Sequence, residues 1–155
     1  MQQALEHHEF GALDDRLRDV AEASPQLFRE VVDTACRRFP SMGQSAKTAR
    51  IERLIQSGAW TDAALALIDL ELPLWQVRRI AYDEGEWHCA LSRQRELPDW
   101  LDQSVEARHE DLALAMLCAF VEARRLTAPS SRPSVPSVNS CADALAEIVC
   151  SDNYA

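Results

Sequence analysis

Apolar positions recur with a helical period in the first half of the chain and with a strand period in a short middle stretch. After that they run almost unbroken for ten residues. Residues 1–11 are polar without a clear period and predict a frayed end, followed by a short helix over about 12–23. Ser24 and Pro25 form a helix start, a side-chain cap ahead of a proline at the first helical position. Leu27, Phe28, Val31, Val32 and Ala35 then share one stripe, and this helix is expected to reach Phe39, where Pro40 stops it. Ile51, Leu54 and Ile55 mark a third helix, with Gly58 as its left-handed stop. Thr61 is expected to cap a fourth, over 62–71.

The period changes at "LWQVRRIAYDEGEWHCALSR", which reads as two strands around a turn, a β-hairpin over about 75–92. A three-residue loop, Asp83-Glu84-Gly85, spares Glu84 a positive φ. It pairs Tyr82 with Glu86 and Ala81 with Trp87. One face then carries Trp75, Val77, Arg79, Ala81, Trp87, Cys89 and Leu91, apolar apart from Arg79. The other carries Gln76, Arg78, Ile80, Tyr82, Glu86, His88, Ala90 and Ser92. Ser104 is expected to cap a long central helix over about 104–126, whose middle, "LALAMLCAFV", is apolar all round and therefore buried.

These elements make a mostly helical α+β fold, a helical core with one antiparallel hairpin, in a single domain over 1–126. "TAPSSRPSVPSVNS", residues 127–140, reads as a Ser- and Pro-rich flexible tether. Residues 141–155 read as a short helix with an apolar stripe at Ala142, Leu145, Ile148 and Val149.

A net charge of −9 works against broad nucleic-acid binding and against anionic membrane surfaces. The ten-residue apolar run is half of the roughly 20 residues that a bilayer requires. The first residues have no basic and apolar pattern of a secretory signal. The five cysteines, Cys36, Cys89, Cys118, Cys141 and Cys150, are irregularly spaced without a CxxC, which favours reduced thiols in a cytoplasm over disulfides or structural zinc.

The stretches "LPLW", "DEGEWHC" and "LALAMLCAFVEAR" carry a resemblance over roughly residues 45–126. There the chain resembles a small uncharacterised protein family of alphaproteobacteria, root-nodule bacteria among them. The resemblance implies a bacterial cytoplasmic origin. It brings no fold, activity or ligand, and no functional residue is carried over.

His88 and Cys89 are the most site-like neighbours, yet adjacent strand residues point to opposite faces. A nucleophile needs its base within about 3 Å, so the two do not form a dyad. His88 is left to meet Glu86 and Tyr82 on its own face. His7, His8 and Glu9 lack the i, i+4 spacing of helical metal sites. His109, at the edge of the apolar run, is a pH-sensitive candidate by position. Arg79, amid an apolar face, calls for a carboxylate on the packed helix, a stem that reaches water, or a ligand pocket. Phosphate-cradling and nucleophile-elbow motifs are missing. Residues 29–53 carry a local net charge of +3, and the third and fourth helices invite a helix-turn-helix reading. The fourth, "DAALALIDLE", has no Arg, Lys, Asn or Gln with which to read bases, and a self-packing helical hairpin is the better reading.

No catalytic, cofactor-binding or metal-ligating set emerges, and no cofactor is expected. The sequence favours a small cytoplasmic, non-catalytic protein-interaction or regulatory protein, binding another protein or a second copy of itself, and neither nucleic acid nor membrane. The alternative is a small enzyme or ligand-binding protein with a site assembled around Arg79, His88 and His109.

Overall fold

The computed structural model describes residues 2–41, 45–93 and 103–127. The tether expected at 127–140, apart from Thr127, and the helix expected at 141–155 lie outside the described residues. The helical half builds α1 (Gln2–Asp19), α2 (Pro25–Ala35), the single turn α3 (Arg38–Ser41), α4 (Ala46–Gln56) and α5 (Trp60–Glu71). Three strands follow, β1 (Gln76–Asp83), β2 (Glu86–Ser92) and β3 (Ser104–His109), and then α6 (Leu112–Thr127).

Local signals set several boundaries. The Ser24 hydroxyl accepts the Leu27 N–H at 3.2 Å ahead of α2, and the Ser45 hydroxyl accepts the Thr48 N–H at 3.3 Å ahead of α4. Gly58, at φ 75°, follows α4 in the left-handed conformation that ends a helix.

Other boundaries differ from expectation. Residues 2–11 are helical, because Phe10 joins Leu13 and Leu17 in one buried stripe down α1. The second helix stops at Ala35, and Cys36 is extended. The amides of Arg37, Arg38 and Phe39 turn instead to the buried Glu71 carboxylate. The fourth helix starts at Trp60 rather than at a Thr61 cap, and its cap position, Ala59, has no side-chain bond. Trp60 stacks on Phe28 of α2, with centroids 5.5 Å apart.

The largest correction concerns 104–126, which is a strand and a helix rather than one helix. In "SVEARH", Val105, Ala107 and His109 are buried while Ser104, Glu106 and Arg108 are exposed, a period of two. The hairpin is thereby part of a three-stranded antiparallel sheet of order β1-β2-β3. A tight corner joins β3 to α6. His109 Nδ1 accepts the Asp111 N–H at 2.9 Å, and Asp111 caps α6 by accepting the Leu114 N–H at 3.0 Å. The expected Ser104 cap is therefore supplied by Asp111.

α6 is the centre of the molecule. It packs on β2 and β3 and on α1, α2 and α5, and every residue from Ala113 to Val121 is buried. The all-round apolar run is explained by this position between a sheet and a helical layer. Among the described residues, no helix is long and apolar enough to cross a membrane.

Candidate functional site

The hairpin turn decides which side chains meet. Asp83 pairs with Glu86, Tyr82 with Trp87, Ala81 with His88 and Ile80 with Cys89. The loop is thus the two-residue Glu84-Gly85, with φ 52° and 88°, the positive values of a type I′ turn. The expected three-residue loop is wrong by one residue on β1, and that slip exchanges the faces of the strand. Between Val77, opposite Leu91, and Arg79, opposite Ala90, Arg78 is an extra residue. This bulge returns Val77 to the inner face.

Directly opposed residues share a face. The inner face, toward α6, therefore carries Val77, Ile80 and Tyr82 of β1 with Trp87, Cys89 and Leu91 of β2 and Val105, Ala107 and His109 of β3. The outer face carries Arg79, Ala81, His88, Ala90, Glu106 and Arg108. Arg79 is consequently exposed, and among the described residues it has no ion pair.

His88 and Cys89 do point to opposite faces. Cys89 is 0% exposed, and burial lifts its thiol from 9.0 to about 11, so it is a weakly reactive packing residue. His88 finds its partner on β3 rather than in Glu86 or Tyr82. Its Nδ1 lies 3.2 Å from Glu106 Oε1, with Arg108 Nε 3.8 Å from the same oxygen. His109 lies on the other face, at the β3–α6 corner. Of the three sequence candidates, Arg79 and His88 share a face and His109 does not join them.

Sequence reasoning missed two features. The first is Glu71, a buried carboxylate whose Oε1 accepts the Phe39 N–H at 2.6 Å and whose Oε2 accepts those of Arg37 and Arg38 at 3.0 and 3.1 Å. Beside it, Arg124 donates Nε–H to the Ala35 carbonyl at 2.7 Å. Burial lowers the pKa of this guanidinium, while the Glu71 carboxylate opposes the shift. This cluster locks the α2–α3 corner to α5 and α6. Its parts lie more than thirty residues apart, beyond the reach of any local pattern.

The second is the state of β1. Among the described residues, its only extensive packing is against β2. Ile80 is 39% exposed and Tyr82 61% exposed, although both lie on the inner face. The Tyr82 ring leans on Trp87, with centroids 5.1 Å apart and planes tilted by 56°. An apolar strip thus continues from the core onto an edge strand that α6 does not cover. The exposed Ile80 and Tyr82 could have been read from "RRIAYDE" only with the correct turn.

Among the described residues, no group of three or more His, Cys, Asp or Glu could hold a metal. Clefts between α1 and α2 and between α2 and α4 carry mixed charge, with Glu9, Arg16, Glu30 and Asp33 in the first and Arg29, Asp33 and Glu52 in the second. Compared with protein-family models, curated proteins and solved structures, the chain matches none.

Proposed function

We propose that this chain is a small, non-catalytic interaction or regulatory protein that binds through the open edge of β1. The observation that carries the reading is the exposed β1 margin of the inner sheet face, at Ile80 and Tyr82. Ile80 and Tyr82 extend the core's apolar surface to an edge strand whose outer backbone groups face away from β2. An extended partner segment can add a strand to such an edge, with affinity from main-chain hydrogen bonds and selectivity from alternate side chains.

A nucleic-acid role has less support. Half of α5, the would-be reading helix, is buried, and the chain has a net charge of −9. A ligand site around Arg79, His88 and His109 also has less support, since His109 and the other two lie on opposite faces of the sheet. A cytoplasmic setting fits buried thiols at Cys36, Cys89 and Cys118, each held protonated by burial.

The test is site-specific photo-crosslinking in the cells that make the protein. A photoreactive phenylalanine at position 82 should give a discrete adduct. The same group at Lys47, on exposed α4, should not. Ile80→Lys should abolish the adduct without unfolding the protein. Adducts of equal yield at both positions, or none at 82, would overturn the reading.

A further inference from the structure

We infer that the occupant of the β1 edge is β1 of a second copy, antiparallel and centred on Ala81. This rests on the proposed interaction reading and names its partner. The warrant is a charge palindrome. In "Arg79-Ile80-Ala81-Tyr82-Asp83", a two-fold axis at Ala81 sets Arg79 opposite the second copy's Asp83, and Ile80 opposite its Tyr82. Both opposed pairs are complementary, and the symmetry makes each occur twice.

The backbone parity agrees. Hydrogen-bonded and non-hydrogen-bonded pairs alternate along an antiparallel ladder. Counted from the two-residue turn, Asp83, Ala81 and Arg79 turn their amide groups toward β2. Ile80 and Tyr82 then present theirs to the open side, where the Ile80–Tyr82 pairs of the two copies would exchange them. Ala81, small and on the outer face, falls on the axis at a non-hydrogen-bonded position, where opposed Cα atoms approach to about 4.5 Å. The Arg78 bulge lies just outside this five-residue span. Moving the axis to Ile80 would set Arg79 opposite Ala81 and Tyr82 opposite Arg78, and the charge match would be lost. Among the described residues Arg79 and Asp83 have no ion pair within the chain, so the pairing breaks none. The product is a continuous six-stranded sheet in which β1 is no longer an edge.

The test is self-association of the purified full chain, by sedimentation over a wide concentration series. Wild type should approach twice the monomer mass. R79D and D83R should each weaken the dimer by about tenfold or more, because like charges then oppose twice. The double swap R79D/D83R should restore it. Independently, Ala81→Cys, with Cys141 and Cys150 replaced by Ser, should form an intermolecular disulfide under mild oxidation, and Ile80→Cys should not. This arm stands even where a charge variant fails to fold. The dimer is overturned by a wild type that stays monomeric, by a dimer indifferent to the single swaps or not rescued by the double, or by a crosslink favouring Ile80→Cys. A monomer that still yields adducts at position 82 sinks the dimer and spares the interaction reading; a monomer without adducts sinks both.

Discussion

One sheet face has two fates in this protein. Under α6, Cys89, Leu91 and Val105 are buried. On β1, the strand next to Cys89 and Leu91, Ile80 and Tyr82 lie on the same face and remain half-open to solvent. Both ends of the sheet are edges, and both edge strands pair with β2. β3 is nonetheless core, because the His109–Asp111 corner folds α6 straight back over it. β1 is reached through Pro73 and Leu74 from α5 and, among the described residues, receives no such cover. Position under one helix, and not apolar character, separates packing residues from residues available for contact.

The sharpest way to break this comparison is to truncate the two halves in the same way. Leu91→Ala should cost about 2–5 kcal/mol, the range for a buried leucine. Ile80→Ala should cost within roughly 1 kcal/mol for the monomer, as at a partly exposed site. Denaturant titration at low protein concentration measures both. Equal costs would mean that Ile80 is covered and that the open edge does not exist.

A second measurement uses pH. Burial raises the Cys89 thiol from 9.0 to about 11. Between those values the unfolded chain releases the proton and the folded chain keeps it, so stability falls as pH rises. The contribution is intact below about pH 9 and is lost at about 1.4 kcal/mol per pH unit up to about pH 11. Cys89→Ala should therefore be less stable than wild type at neutral pH, with a gap that narrows at that rate above pH 9. A constant gap from pH 8 to 11 would contradict a buried thiol under α6.

How much of this was legible in the sequence follows the range of each interaction. Ser24 and Gly58 act within one turn, and the positions they set are where local chemistry places them. The mostly helical α+β class followed from the same local patterns. The end of α2 was not legible, because a carboxylate on α5 terminates it. β3 was missed because a serine before a short charged alternation also fits a capped first turn. Its strand character depends on pairing with β2, and that same pairing gives His88 its Glu106 partner. Arg79 was misplaced together with the turn, since a one-residue slip carries every β1 side chain to the other face.

The turn itself offers the smallest effect and the finest test. A positive φ at Glu84 disfavours the two-residue loop. The loop nonetheless forms because it opposes Tyr82 to Trp87, whose rings meet at 5.1 Å, and Ile80 to Cys89. An aromatic pair contributes about 0.5–1.5 kcal/mol beyond area burial, comparable with the left-handed cost of about 1–2 kcal/mol. Asparagine tolerates the left-handed region better than glutamate, and Asn-Gly is the preferred pair for a type I′ turn. Glu84→Asn should therefore stabilise the fold, by about 0.5–1 kcal/mol, with Gly85 kept. Position 84 is exposed and outside the proposed pairing span, so the change reads mainly backbone strain. A loss of stability on Glu84→Asn would mean that residue 84 is not left-handed. The three-residue loop would then return, and with it Arg79 on the inner face and Ile80 on the outer one.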